Sequence, residues 1–226
     1  MRAQVQPRRR IWPWFVGVAA IVITLLIAIV VTGHGPTGPP ISLPSDSATQ
    51  TASAPSIDGE PTGCLGGPRR DAKMVLTAGS SAPHTSNGAI EVATAFVRWL
   101  NQYPYPSAAD IAAIEKDGLS DGAPTKDIAA FFGAKPNLSG GLVPDQSPYY
   151  LSTVPGVFYV ESAAPDTVTA SVGTALVIND ALSPTLKGSI TVTVAWERGG
   201  WKFVNSEGTR TTGDLYSIGR PFTGGC

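Results

Sequence analysis

The sequence predicts an α+β domain in which two or three helices pack on a curved, cone-like antiparallel sheet, preceded by an N-terminal transmembrane helix. Three observations predict this class. Apolar residues recur at helical spacing from residue 87 onward, and they alternate with polar residues from residue 156 onward. A long apolar run without charges lies near the N-terminus.

The apolar run covers residues 11–32 and is the predicted membrane span. A helix of this length rises about 33 Å, enough to cross the hydrocarbon core and hold the chain in the lipid bilayer. Arg8, Arg9 and Arg10 precede the run, and no Lys or Arg follows it until Arg69. The positive-inside rule therefore places residues 1–10 in the cytoplasm, as a basic tail, and the C-terminal domain outside the cell. The alternative is a cleaved signal peptide, but the run is longer than a usual signal h-region.

Residues 33–63 are predicted to be a linker. Of these 31 residues, 20 are Pro, Gly, Ser or Thr. Such a composition cannot bury enough apolar area to offset the loss of chain entropy. We expect the linker to hold the external domain, residues 64–226, at a distance from the cell membrane.

The two cysteines, Cys64 and Cys226, begin and end this predicted domain. Two cysteines in an external compartment favour a disulfide, which requires Cα atoms within about 7 Å of each other. The alternative is a pair of unrelated free thiols. Neither cysteine has the neighbours of a metal site or of a CxxC motif.

Helices are predicted in the first half of the domain. The first begins near residue 87, with Ser86 or Asn87 as its cap and Glu91 near its first turn. A capping box of Ser107 and Asp110 predicts a second short helix. A third helix is predicted after Thr125. The apolar face of the first helix consists of Ile90, Ala93, Phe96, Val97 and Leu100.

Strands are predicted over residues 156–162, 167–178 and 189–198. Gly199 and Gly200 predict a two-residue hairpin turn, because both glycines can adopt positive φ. That turn sets the register of the two strands. The predicted pairs are Arg198 with Trp201, Glu197 with Lys202, and Trp196 with Phe203.

Helices followed by an antiparallel meander resemble the nuclear-transport-factor-two-like (cystatin-like) fold. The segment from Val194 to Phe203 is similar to the last two long strands of that fold, and the segment from Phe96 to Leu100 is similar to its opening helix. The layout of tail, span, linker and external domain also resembles the single-span assembly factors of bacterial conjugation and type IV secretion, including TcpC-like proteins of Gram-positive elements. This resemblance implies a scaffold that contacts other subunits of an envelope machine or itself.

Composition and motifs exclude several function classes. From Cys64 onward, 12 Lys and Arg face 14 Asp and Glu, a net charge of −2, so no nucleic-acid footprint is predicted. The scarcity of lysine is typical of high-GC bacteria, such as actinobacteria. No catalytic, phosphate-binding or zinc motif occurs, so we predict neither an enzyme nor a bound cofactor.

Some ionisable residues could still serve a pocket. Asp110, Asp127 and Glu161 are candidate pocket acids, although helix capping or surface solvation explains each of them. His84 is predicted to be a solvated loop residue.

Five aromatic residues are candidates for an interface: Trp99, Tyr103, Tyr105, Tyr149 and Tyr150. Trp99 lies beside the apolar face of the first helix, where partial exposure is expected, and the tyrosines lie in proline-containing loops. Amphipathic aromatics are common at protein interfaces, but they also close cores. The leading hypothesis is thus a scaffold subunit of a conjugation or secretion machine. The alternative is a tethered module that binds a small ligand or acts as a sensor, which a large open apolar pocket would favour.

Overall fold

The computed structural model describes residues 59–208 and 210–226, which contain five helices and six strands. The predicted cytoplasmic tail, the membrane span and the linker up to residue 58 lie outside the described residues. Within the described part, no helix is both long and apolar enough to cross a membrane. The elements are α1 (Ala72–Ser81), α2 (Ser86–Leu100), β1 (Gln102–Tyr103), α3 (Ala108–Asp117), α4 (Ile128–Gly133), β2 (Tyr149–Ala164), β3 (Thr167–Ile178), β4 (Ala181–Glu197), β5 (Gly200–Asn205), α5 (Thr212–Ile218) and β6 (Arg220–Pro221).

The sheet confirms the α+β prediction: it is antiparallel and curves into a half-barrel. Its strand order is β1-β2-β3-β4-β5, and β6 pairs with the second half of β2. Bulges interrupt β2 and β4, and a bulge bends a strand and increases its twist. Strand β3 has the predicted bounds, whereas β2 and β4 are longer than the patterns indicated.

Helix α2 lies in the concave side of the half-barrel and is buried around most of its circumference. Phe96 stacks on Phe203 of β5, with ring centroids 3.7 Å apart. On β3 and β4 the inward positions alternate with outward ones, as the sequence pattern predicts. The inward residues of these two strands in the core are Val168, Ala170, Val172, Leu176, Val192 and Val194.

Local capping signals explain where the helices begin. Ser107 caps α3 and also donates to Asp110, as the capping box predicts. Asp127, not Thr125, caps α4, because its carboxylate accepts from the Ala130 amide at 2.7 Å. Helices α1 and α5 were not predicted. Their N-caps are Asp71 and Thr211.

The register of the β4–β5 hairpin corrects the prediction. The turn residues are Arg198 and Gly199, with φ of 54° and 80°, so Trp196 pairs with Trp201 and not with Phe203. Gly200 belongs to β5, where a Cβ would lie 2.8 Å from the Gly79 carbonyl oxygen of α1. Gly200 is therefore required for close packing on α1. Each residue of the two strands still lies on the predicted face of the sheet, because the pairing is shifted by two residues.

The N-terminal and C-terminal ends of the domain are held together. The last residues of the predicted linker are part of the N-terminal end. Cys64 and Cys226 form a disulfide with Cα atoms 5.4 Å apart, as the sequence predicted. Residues 59–63 do not behave as a free linker. The buried Glu91 accepts hydrogen bonds from the Thr62, Gly63 and Leu65 amides, so the domain begins a few residues before Cys64.

Candidate binding site

Two adjoining cavities open on the concave side of the half-barrel, and both are walled by Asn101, Leu138 and Ile190. We call them the mouth cavity, of about 360 Å³, and the edge cavity, of about 380 Å³. Each lies within the range of roughly 300–1,000 Å³ that is typical of ligand sites. Both are open to solvent, so the described part of the cone is not completely filled by its own side chains.

The mouth cavity lies between the C-terminal end of α2, helix α4 and the end of β5. Its walls are largely apolar because the core faces of these three elements converge there. Lys135 and Glu207 are the charged residues that line it, and neither takes part in an ion pair within the described residues. The Lys135 ammonium lies 5.0 Å from the centre of the Phe131 ring. The apolar lining consists of Phe96, Leu100, Pro124, Ile128, Phe131, Leu138, Ile190, Phe203 and Val204.

The edge cavity lies between the loop after α4, the inner face of β2 and β3, and strand β4. Lys187 is the charged residue in its lining. Tyr149 is 2% exposed, and its hydroxyl accepts from the Leu138 amide at 3.1 Å. Burial raises the pKa of Tyr149 to about 12, so this phenol is neutral at physiological pH. The apolar lining consists of Leu138, Leu142, Tyr149, Leu151, Leu176 and Ile190.

Unpartnered polar atoms accompany the apolar walls. Asn205 in the mouth cavity and Ser189 in the edge cavity each have a buried side-chain oxygen without a hydrogen-bond partner among the described residues. The Thr174 hydroxyl is also buried and unpartnered, and it lies beside Gly188 of the edge cavity. A buried polar atom without a partner costs about 1–3 kcal/mol, so polar groups of a bound molecule can recover free energy at these positions.

The candidate pocket acids lie elsewhere. Asp110 accepts from the Ala72 amide and the Ser107 hydroxyl, and these hydrogen bonds lower its pKa. Asp127 caps α4. Glu161 pairs with Arg210, which lowers the pKa of the Glu161 carboxyl. None of the three lines either cavity. Among the described residues there is also no cluster of His, Cys, Asp and Glu that could hold a metal ion.

The five predicted interface aromatics divide into two groups. Trp99 was expected to be partly exposed, and this is corrected: its exposed fraction is 0%, because α2 is enclosed by the sheet and the other helices. Tyr149 is buried in the wall of the edge cavity. Tyr103, Tyr105 and Tyr150 are half-buried. For these three, the prediction of an interface stays a prediction.

The half-buried tyrosines lie near one end of the sheet. Tyr103 and Tyr150 line a third cavity, of about 300 Å³, where the Arg70 guanidinium lies 3.7 Å from the centre of the Tyr150 ring. Tyr105 packs edge-on against Tyr103, and its hydroxyl donates to the Lys135 carbonyl at 3.1 Å. These rings thus form a polar-edged aromatic surface outside the two main cavities.

Two buried charges on α2, Glu91 and Arg98, hold the segment around Cys64. The sequence predicts Glu91 only as a residue near the first turn of the helix, and it does not single out Arg98. Glu91 accepts from the amides of Thr62, Gly63 and Leu65, as described above. Arg98 donates from both terminal nitrogens to the Gly67 carbonyl at 3.2 Å. Burial, followed by repulsion from Arg70, lowers the pKa of Arg98 to about 10. A charged residue in an otherwise apolar helix was the signal in the sequence, because such residues are rarely buried without partners.

His84 is an exposed loop residue, as predicted, but its ring also makes specific contacts. Its ring stacks on Trp196 with centroids 4.2 Å apart, and its Nε2 lies 2.9 Å from an Asp166 carboxylate oxygen. It thereby connects the loop before α2 to the β2–β3 turn. The distance in sequence, about 80 residues, is why the spacing could not reveal this contact.

Comparison with known proteins finds no counterpart: no family model, no curated protein and no solved structure matches this chain.

Proposed function

We propose that this chain is a membrane-anchored protein whose external domain is a non-catalytic binding module. One observation carries the proposal: two solvent-open cavities with apolar walls adjoin each other on the concave side of the sheet. Apolar concave sites with a few polar groups are typical of ligand binding. Lys135, Lys187 and Glu207 line the cavities without an accompanying nucleophile–base pair, which favours binding over catalysis.

The residues of the cavity walls favour a bound molecule that has both an apolar part and polar atoms. An apolar part would contact Leu138, Leu176 and Ile190, and polar atoms would meet Asn205 or Ser189. Burial of apolar area contributes roughly 25 cal/mol per Å², so a medium-sized apolar group is sufficient for measurable binding.

The test uses two small water-soluble probes, octanoate and indole, and the full chain in lipid nanodiscs with methyl-labelled leucines. We expect saturable shifts of the Leu138 and Leu176 methyl resonances. Ile190→Trp fills the shared wall and should abolish the shifts. Its matched control is Ile218→Trp on α5, where the side chain is 47% exposed and outside both cavities. Absence of a saturable shift, or an equal response in both variants, would contradict the binding module.

The topology of the anchor is part of the proposal and has its own test. Cysteine introduced at Ser45 should react with a membrane-impermeant thiol reagent in intact cells, and cysteine at Gln4 should not. The reverse labelling pattern would overturn the orientation, and labelling of neither would argue against a span over residues 11–32.

A second candidate function is the scaffold role in a conjugation or secretion machine. The half-buried Tyr103, Tyr105 and Tyr150 favour it, since amphipathic aromatics at the surface are common at interfaces. The order of helices and sheet agrees with the nuclear-transport-factor-two-like resemblance, which we keep as a proposal. Crosslinking in membranes where the machine is assembled should recover other subunits, and Tyr150→Ala should reduce that recovery. Recovery of this chain alone would exclude the scaffold role.

A further inference from the structure

Strand β4 has an outer edge that is only partly covered. The strand runs over residues 181–197, but β5 pairs only with Thr193–Glu197. No other described strand pairs with the remainder of β4 on that side. Backbone N–H and C=O groups on such an edge are free to bind another extended chain.

Contacts at Thr191 show which backbone groups point outward. The Thr191 carbonyl accepts from the Ser206 hydroxyl at 3.2 Å, as the chain leaves β5 and crosses the edge. Since residues alternate in the direction of their backbone polar groups, those of Ser189 and Lys187 also point outward. Gly208 packs directly on Thr191, where a Cβ would come within 2.3 Å of its side chain, so the open edge begins at Ile190.

The other end of the open stretch is also defined. A bulge breaks the pairing of β4 with β3 between Leu182 and Lys187, and Pro184 lies within it. Bulges and prolines are devices that block pairing at a sheet edge. Residues 187–190 are thus a short regular edge, blocked on both sides, with a length suited to three or four residues of another chain.

This edge is also a wall of the edge cavity. Gly188 has no side chain, so the cavity reaches the inner face of the sheet beside Leu176 and the Thr174 hydroxyl. Leu142, which also lines this cavity, is 44% exposed. A chain lying along β4 would place every second side chain over this cavity.

We propose that the edge cavity binds an extended segment of a partner protein, which pairs with Lys187–Ile190 as an additional strand and inserts one apolar side chain between Leu142 and Leu176. This inference rests on the proposed function and names its ligand class. An extended polypeptide is favoured over a small molecule because only a peptide backbone repeats donors and acceptors at the two-residue period of the edge. Lys187 is the charged residue lining this cavity, and its ammonium lies 4.3 Å from the centre of the Tyr216 ring of α5, so an acidic residue of the partner segment should lie near this cation.

The experiment measures binding of one probe, fluorescein-labelled Glu-Val-Leu-Val-Glu-amide, to the full chain in lipid nanodiscs by fluorescence anisotropy. Two analogues carry an N-methyl group, one on the leucine amide and one on the amide of the following valine. Neighbouring amides of an added strand face opposite directions. One analogue should therefore bind about tenfold more weakly, and the other should bind as the parent does. Equal affinity of all three, or equal loss in both analogues, would overturn strand addition.

Variants of the edge give an independent readout. Ser189→Pro and Ser189→Ala both lose the side-chain hydroxyl, but only Ser189→Pro also loses the outward N–H. Ser189→Pro should therefore bind the parent peptide roughly tenfold more weakly than Ser189→Ala does. If Ser189→Pro does not fold, as judged by its thermal unfolding, the N-methyl series alone decides. If sedimentation shows that Ser189→Pro dissociates a dimer, the occupant is a second copy of β4 and the partner-segment proposal fails. Saturable binding of octanoate or indole without binding of the peptide would refute this inference and leave the proposed function intact; binding of neither would refute both.

Discussion

The disulfide offers the most direct test of how the domain is stabilised. The perturbation is the double replacement Cys64→Ala and Cys226→Ala, which removes the crosslink without leaving a free thiol. The cysteines are 162 residues apart in sequence. The chain-entropy relation for so long a loop gives about 5 kcal/mol as an upper figure, because residual structure in the unfolded chain reduces the effect.

Native hydrogen bonds at both ends of the domain determine how much unfolding free energy the double variant should lose. The Cys226 amide donates to the Thr153 hydroxyl at 2.9 Å, and the Cys226 carbonyl accepts from the Thr153 amide at 3.0 Å. These bonds, with those of Glu91, can hold the ends in place without the bridge. The variant should therefore keep its native fold and lose about 2–4 kcal/mol, mainly through a freer unfolded chain. For a domain of this size that loss corresponds to roughly 5–15 °C in the unfolding midpoint.

The assay is thermal unfolding of the full chain in lipid nanodiscs, followed by the fluorescence of the buried Trp99 and Trp201. The oxidised wild type should show no free thiol. Reduced wild type is the matched control, and its midpoint should coincide with that of the double variant. A decrease below about 2 °C would refute the loop-entropy reasoning, and a change of the native fluorescence spectrum would show that the bridge shapes the folded state itself.

Three further predictions concern residues whose contacts are defined by the structure. Glu91→Gln should destabilise the domain by about 2–3 kcal/mol in urea unfolding, because an amide cannot accept from all the backbone N–H groups that the carboxylate binds; an unchanged midpoint would contradict that role. Gly200→Ala should cost about 1–3 kcal/mol, because its Cβ would lie 2.8 Å from the Gly79 carbonyl oxygen, and a neutral effect would mean that α1 can move aside. Hydrogen bonds lower the pKa of Asp110 in the folded state, so its contribution is present above about pH 4 and lost as pH falls through the folded pKa. The stability difference between wild type and Asp110→Asn should therefore shrink on acidification from pH 6 to pH 3, and a constant difference would exclude this linkage.

Local sequence signals predicted much of the secondary structure. Ser107 and Asp110 reveal the start of α3 because a capping box is complete within four residues. The alternation over residues 167–178 gives β3 with its bounds, since one face of the strand is buried. Helix α1 was missed although Asp71 provides an ordinary N-cap, because its small residues give only a weak apolar pattern.

The errors arise where tertiary contacts decide the conformation. The Gly199-Gly200 pair predicted the turn by conformational freedom alone, but packing against Gly79 draws Gly200 into the strand and leaves Arg198 at positive φ. The cavities combine α2, α4, a loop near residue 140 and the four strands β2 to β5, so no single segment contains their signature. The contacts of the exposed His84, which were not predicted, likewise join residues about 80 positions apart.

The first described residue and the mouth cavity lie at opposite ends of α2, which bears on how the proposed anchor and the proposed binding role fit together. The first described residue, Gly59, contacts Asn87 at the N-terminal end of α2, where the Asn87 side-chain amide lies 3.4 Å from the Gly59 carbonyl oxygen. Leu100 and Asn101 line the mouth cavity at the other end of the helix. At 1.5 Å per residue, these ends are about 20 Å apart. A molecule can therefore enter the cavities without displacing the segment at Gly59, so the domain can bind and release a partner while the position at which the predicted linker would join it stays unchanged.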